Sequence, residues 1–338
     1  MKRLSLRNIL VPIDFSKMSV QAIGTAKRLA QRFDANIHLV HVYEFYRPSR
    51  YMAPTPPLMP FSVVTFERYR TGELDQRLRA LAKKHGLPSG GTCHVESGTS
   101  PFNEICAIAR DIPADLIVIS THGYTGLKHV FLGSTAERVV QHSPCPVFVA
   151  RHSDRRAKTG QAFTLNTILV PVDFSSCSLD GLNYAISFAD RVGAKLILFH
   201  AVQLAPYTSG GFAYDLSSLE EAAQKDAERQ MQEFVRMAKF GGVKFETAIT
   251  MGPPAEEISA FAQKDNVDLI ITSTHGRTGW KHMLIGSTAE HVVRYSRSPV
   301  LVVPSHPDVR AAKIVRETER SRRPGRRRDA KSKSSKRI

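Results

Sequence analysis

Short, almost wholly apolar runs alternate along this chain with longer stretches whose apolar residues recur at helical spacing. Arg7 to Ile13 is the first apolar run. Asp14, Phe15 and Ser16 follow and lead into Ser19–Phe33, where Val20, Ile23, Ala26, Ala30 and Phe33 mark one helical face. Ala35–Val42 predicts a second strand, rich in apolar and β-branched residues. Between Glu44 and Pro60 five prolines predict a long loop. An amphipathic helix is predicted over Thr65–His85, with Gly86 closing it. Then come a strand at Thr92–Glu96 and a helix at Ser100–Arg110, with Pro101 at its first position. A strand at Leu116–Ser120, a helix from Ser134 and a strand at Pro146–Ala150 complete the series. Such alternation predicts a parallel sheet covered by helices on both faces. Strands this apolar fit burial on both sides.

The whole pattern then restarts. Beyond the polar, basic stretch Arg151–Thr164, residues Thr167 to Ser175 match Asn8 to Ser16 nearly one for one, at an offset of 159. Twenty residues from Thr121 to Val140 recur from Thr274 to Val293 with 14 identical, at an offset of 153. The first half therefore carries six more residues between these landmarks. The proline-rich loop is the expected place, because its counterpart Gln203–Ser217 is shorter. Val300–Val303 closes the second series. The reading is one domain duplicated: residues 1–150, a linker at 151–164, a second domain at 165–304 and a basic tail at 305–338.

The repeated twenty residues carry the candidate chemistry. Each copy follows an apolar run and holds glycines, Gly123, Gly126 and Gly133 in the first and Gly276, Gly279 and Gly286 in the second. Ser134 with Glu137, and Ser287 with Glu290, have the spacing of a capping box at a helix start. A glycine loop ending on a helix N-terminus presents free N–H groups and the positive end of a dipole, which suits a phosphate. The same residues would also serve as a turn and a cap. Length favours the ligand: thirteen residues separate Ser120 from Ser134, and thirteen separate Ser273 from Ser287. A simple strand-to-helix turn needs about 2–6. Asp14 and its repeat Asp173 are open to two readings, helix caps or ligand contacts.

Composition sets limits. A chain of 338 residues, 42% apolar, has material for two cores. No apolar run reaches the ~18 residues of a membrane span. Asp14 interrupts the first apolar stretch too early for a signal peptide. Cys93, Cys106, Cys145 and Cys177 show no C-x-x-C spacing, which fits a reducing compartment. A soluble, cytoplasmic protein is expected. The net charge of +16 resides mostly in the tail, where thirteen Lys/Arg against three Asp/Glu from Arg310 to Ile338 leave +10. Charge alone would let this tail contact nucleic acid or an anionic surface. A solubilising extension, disordered and without interleaved aromatics, fits it equally.

Together these residues resemble the universal stress protein family, over about 5–150 and 165–304. ATP-binding members carry G-x2-G-x9-G-[S/T]. Gly123, Gly133 and Ser134 match its larger part, as do Gly276, Gly286 and Ser287. Its first glycine is replaced by Ser120 and Ser273. The resemblance implies two tandem doubly wound domains, each a five-stranded parallel sheet of order 3-2-1-4-5, Rossmann-like and similar to the adenine nucleotide alpha hydrolases. Strands 1 and 4 are then neighbours at a switch point, where ligands favour the crevice. The implied nucleotide site holds Pro12, Asp14, Val42, Ser120, Gly123, Gly133, Ser134 and Thr135. Its second-half copy holds Pro171, Asp173, Ala201, Ser273, Gly276, Gly286, Ser287 and Thr288. Asp14 and Asp173 would contact the adenine or ribose end, and Val42 and Ala201 would line the adenine slot.

The expected cofactor is ATP, with or without magnesium, and the expected role a stress-response switch with little or no hydrolysis. Two further readings stay open: an interaction or dimerisation protein without nucleotide, and an enzyme such as a slow ATPase or an adenylate-transferring protein. No Walker loop, G-x-G-x-x-G or G-x-S-x-G is present. No catalytic base stands out. His122, His129, His275 and His282 lack an accompanying ligand set for a metal. Lys128 and Lys281 are equally readable as phosphate partners or as solvated lysines. The last strand of each half would lie at a sheet edge. The halves are therefore expected to pack as a pseudo-dimer, with further homodimerisation open.

Overall fold

The computed structural model describes residues 4–44, 60–87, 92–120, 132–151, 165–204, 216–274 and 285–304, with the side chains of 60–68 and 216 outside that description. The glycine-bearing loops, most of the proline-rich loop, most of the linker and the basic tail thus lie outside it. The first half runs β1 (Asn8–Pro12), α1 (Lys17–Phe33), β2 (Asn36–Glu44), α2 (Pro60–Lys84), β3 (Cys93–Gly98), α3 (Pro101–Asp111), β4 (Leu116–Ser120), α4 (Ser134–His142) and β5 (Val147–Ala150). The second repeats it as β6 (Thr167–Pro171), α5 (Ser176–Val192), β7 (Lys195–Val202), α6 (Leu216–Met237), β8 (Phe245–Met251), α7 (Pro254–Lys264), β9 (Leu269–Ser273), α8 (Ser287–Tyr295) and β10 (Val300–Val303).

All of these strands join one 10-stranded sheet of order β3-β2-β1-β4-β5-β10-β9-β6-β7-β8. Each half keeps the order 3-2-1-4-5 and parallel pairing within itself. The halves meet where β5 and β10 pair antiparallel, Phe148 opposite Leu301 and Val147 opposite Val302. Phe148 and Leu301 are themselves equivalents at the offset of 153, so the seam is self-complementary about that pair. The strands are apolar on both sides because helices cover both. One buried cluster lies against α1, α2, α5 and α6, and another against α3, α4, α7 and α8.

Local chemistry explains the element ends. Ser16 and Ser175 cap α1 and α5, each accepting the N–H of the residue three on, Ser19 and Ser178, at 3.2 Å. Gly86 closes α2 in the left-handed region (φ 60°). There Gly86 N–H donates to Lys83 at 2.9 Å and Leu87 N–H to Ala82 at 3.0 Å, a Schellman ending. At the N-terminal edge of the sheet Asp115 Oδ2 accepts Arg7 and Asn8 N–H, and Asp268 Oδ2 accepts Asn166 and Thr167 N–H. The helix expected from Thr65 begins instead at Pro60. Proline suits the first helical position, where its missing N–H costs nothing. No helix among the described residues is long and apolar enough to cross a membrane.

Candidate functional site

The parallel order brings the C-terminal ends of β2, β1 and β4 side by side, with Pro12 level with Val40 and Ile9 level with both Ile37 and Leu116. Past β1 the chain turns sharply. Asp14 Oδ1 accepts Ser16 N–H at 2.9 Å, and between them Phe15 sits at φ 62°. The second half repeats this. Asp173 Oδ1 accepts Ser175 N–H at 3.0 Å and Ser175 Oγ at 2.6 Å, around Phe174 at φ 64°. A bulky residue held left-handed costs about 1–2 kcal/mol, so the turn is maintained twice against strain.

Histidines hold the turn from behind. His41 Nδ1 lies 2.6 Å from Ile13 O, and His200 Nδ1 lies 2.8 Å from Val172 O. Their rings pack on Phe15 and Phe174 at 4.6 and 4.3 Å. Burial lowers the His41 pKa below the ordinary histidine value, although the bond to Ile13 works the other way. A neutral imidazole donating from Nδ1 to the carbonyl follows.

The starts of α4 and α8 correct the capping-box reading. Gly133 and Gly286 are the N-caps (φ −61° and −72°), and Ser134 and Ser287 are the first helical residues. Neither cap contributes a side-chain hydrogen bond. Glycine reaches the extended cap conformation as easily as serine does, and the chain turns one residue earlier than the Ser-x-x-Glu spacing suggests. Glu137 and Glu290 send their carboxylates elsewhere, both to Arg294, at 3.1 and 3.0 Å. The first turns of both helices thus start on a glycine that supplies no capping side chain.

Ser120 and Ser273 end β4 and β9, level with Ala150 and Val303. A Cβ placed on Gly181 would lie 3.4 Å from Ser273 Cβ, so this serine faces α5. Strand alternation turns Ser120 the same way, toward α1, because Leu116 and Val118 lie in that cluster. Where the family motif has glycine, the added side chain thus points away from α4 and α8. Val42 and Ala201 lie on the opposite face, in the cluster that includes residues of those helices. Thr135 and Thr288 occupy the second helical position. Gly123, Gly126, Gly276 and Gly279 lie outside the described residues, as do His122, Lys128, His129, His275, Lys281 and His282.

Two matches to the model of the universal stress protein family, at residues 5–151 and 164–304, coincide with the two halves just described. The chain belongs to the universal stress protein family. It is a tandem member: a universal stress protein of Mycolicibacterium smegmatis is 25% identical over 299 residues, covering 87% of this chain and 96% of that protein. A universal stress protein of Methanocaldococcus jannaschii is 33% identical over 136 residues, covering 40% of this chain and 80% of that one. Among solved structures, a functionally unknown protein of Pseudomonas aeruginosa PAO1 superposes with a TM-score of 0.58 at 22% identity, over 93% of this chain and 98% of its own. A universal stress protein from Archaeoglobus fulgidus gives 0.54 at 20%, over 90% and 98%. These two likenesses speak for the fold alone.

Within this universal stress protein architecture, several residues at the site carry no signal in a single sequence. Arg77 of α2 lies 4.4 Å over the Phe15 ring, whereas Phe234 of α6 meets Phe174 edge-on at 5.7 Å. Arg151, just past β5, donates to the carbonyls of Val293 and Arg294 at the end of α8. Burial pulls its pKa down to about 10, which leaves it cationic at neutral pH. A repeated histidine at an offset of 159 could have pointed to His41 and His200. Nothing comparable marks Arg294. Buried thiols offer no nucleophile, because desolvation pushes Cys106 up to about 11 and Cys145 up to about 12. Among the described residues no group of three or more His, Cys, Asp or Glu could hold a metal ion.

Proposed function

We propose that each half binds an adenine nucleotide, foremost ATP with or without magnesium, across the C-terminal ends of its second, first and fourth strands. Binding acts as a stress-response switch with little or no hydrolysis. The observation that carries this reading is the duplicated helix start. Gly133–Ser134–Thr135 and Gly286–Ser287–Thr288 open α4 and α8 on a glycine cap, which leaves backbone N–H groups and hydroxyl-bearing residues at the positive end of a helix dipole. These donors fit a chain of phosphates. Asp14 and Asp173, fixed on strained turns at the neighbouring strand, fit the ribose or base end. Pro12, Val42 and Ser120, with Pro171, Ala201 and Ser273, lie toward the same strand ends and fit the two walls of this site.

Slow or absent turnover is supported by the donor set. The carboxylates nearest in sequence to the helix starts, Glu137 and Glu290, are both held by Arg294 rather than poised toward a water. Calorimetry and thermal shift with ATP on the full chain test the proposal. Saturable heat and a raised unfolding midpoint are expected. No heat and no shift at millimolar ATP would reject it. The alternative is an interaction protein without nucleotide; serine in place of the first motif glycine departs from the binding motif, although its side chain faces α1 and α5 rather than the helix starts. Nucleotide released on denaturing protein purified without added ligand would decide against it.

A further inference from the structure

Glu137 and Glu290 stand at equivalent places, each in the first turn of the helix that opens one proposed nucleotide site. One guanidinium serves both. Arg294 Nη2 lies 3.1 Å from Glu137 Oε1 across the seam and 3.0 Å from Glu290 Oε1 within its own helix. The arrangement is half-buried, with side-chain exposures of 27% for Arg294, 28% for Glu137 and 37% for Glu290, so solvent screens it only in part. It is also one-sided. The position equivalent to Arg294 in α4 is Gln141, which has no charge to offer Glu290 in return. Arg151 reinforces the asymmetry, holding the carbonyls of Val293 and Arg294 from the end of β5, whereas its own equivalent is Pro304. The first half thus anchors the backbone from which Arg294 reaches back to it.

We infer that Arg294 couples the two nucleotide sites, so that occupation of one weakens binding at the other. This inference rests on the nucleotide reading above. A polyphosphate at the start of α4 or α8 comes within about one helical turn, roughly 5.4 Å, of that helix's glutamate. Like charges at such a separation repel appreciably in a partly screened setting. The loaded helix therefore draws the shared guanidinium toward its own carboxylate. One cation cannot fully offset two carboxylates, so the empty site is left with a less compensated glutamate just below its phosphate seat. A second polyanion then binds less well, and by linkage the effect is the same whichever site fills first.

The test is calorimetric titration of the full chain with ATP. Gly133→Val and Gly286→Val each disable one site and report the isolated affinity of the other. In the wild type the second ATP should bind about tenfold more weakly than the weaker isolated site, within the usual span of coupling between sites. Arg294→Gln places there the residue that α4 itself carries, and Glu137→Gln removes only the cross-seam arm. In either variant the second step should return to the isolated value. A wild type that takes up one ATP, with two taken up by Arg294→Gln, would support the coupling in its strongest form. A second step equal to the isolated value in the wild type overturns the inference and leaves the nucleotide reading intact. So does a gap, or single occupancy, that persists in both variants. Absence of ATP binding by the wild type overturns both.

Discussion

The second half places Ile197 and Ala248 where the first half places His38 and His94, diagonally across β7–β8 and β2–β3 respectively. Ile197 is buried and Ala248 packs against the core. His38 and His94 stack at 5.8 Å. His38 Nε2 lies 3.3 Å from Asn8 Oδ1, whereas His38 Nδ1 and His94 Nε2 are buried with no hydrogen-bond partner among the described residues. Similar substitutions recur elsewhere. Asp34 ends α1 at φ 56° where Gly193 ends α5 at φ 76°. The partner of the turn phenylalanine differs too, drawn from non-equivalent positions: Arg77 lies over Phe15, and Phe234 meets Phe174 edge-on. Meanwhile the strand order, the Asp-Phe-Ser turn and the glycine-capped helix starts are the same in both halves. Duplicated backbone has tolerated divergent side chains wherever the ladder and the proposed ligand do not need them.

The largest expected effect lies at the seam, where the halves meet. Phe148 and Leu301 are both fully buried and face each other. Phe148→Ala should cost about 3–5 kcal/mol and Leu301→Ala about 2–4 kcal/mol, measured by urea unfolding. Equal costs would mean the phenyl ring contributes no more packing than the isobutyl group opposite. Next, Gly133→Val and Gly286→Val should each abolish one ATP site. The loss expected is more than about 100-fold, roughly 2.8 kcal/mol, in the affinity that calorimetry assigns to that half. Loss of affinity in one half and not in the other would break the parallel between the two helix starts.

The histidine pair gives a smaller effect with a definite sign. Burial lowers the pKa of both His38 and His94, and the charge of His94 lowers His38 further, whereas Glu96 opposes the shift at His94. The unfolded chain then binds protons more readily near the ordinary histidine pKa of about 6.5. Stability is fully present above that pH and declines as pH falls below it. Replacing the pair by His38→Ile and His94→Ala, as in the second half, should flatten this acid decline. It should also stabilise the protein by at most about 1 kcal/mol, because removing two unpartnered buried nitrogens outweighs losing the 3.3 Å contact of His38 Nε2 with Asn8 Oδ1. Chemical denaturation at pH 7 and pH 5 reads both. Smallest is Asp34→Gly, which imitates Gly193 and should gain up to about 1 kcal/mol in thermal unfolding by relieving a left-handed non-glycine residue.

The strands were plain in the sequence because burial on both sides makes them continuous apolar runs, as at Leu116–Ser120 and Leu269–Ser273. Their order, by contrast, followed from the family resemblance, not from the runs themselves. The end of α2 was legible because Gly86 is one of the few residues that turn left-handed without strain. Its start was hidden by Pro60, which reads as loop when surrounded by other prolines and as a first helical residue when it is the last of them. The Ser-x-x-Glu spacing points to Ser134 and Ser287 as caps, but glycine at 133 and 286 competes for the same role, and φ and ψ decide between them. Arg294 was invisible for a different reason. Its partner Glu137 is 157 positions away, and only the antiparallel seam brings them together.

That seam has a consequence for how the protein is made. β5 is complete once residue 150 has been polymerised, yet the strand that covers its outer edge ends at residue 303. At the usual pace of about 5–20 residues per second, the ribosome needs roughly 8–30 s to supply it. Throughout that interval a finished first half carries a bare, wholly apolar border of Val147, Phe148 and Val149. A neighbouring nascent chain at the same stage presents an identical border. Tandem fusion wins that contest by tethering, because the rightful strand arrives on the same polypeptide at an effective concentration strangers rarely reach.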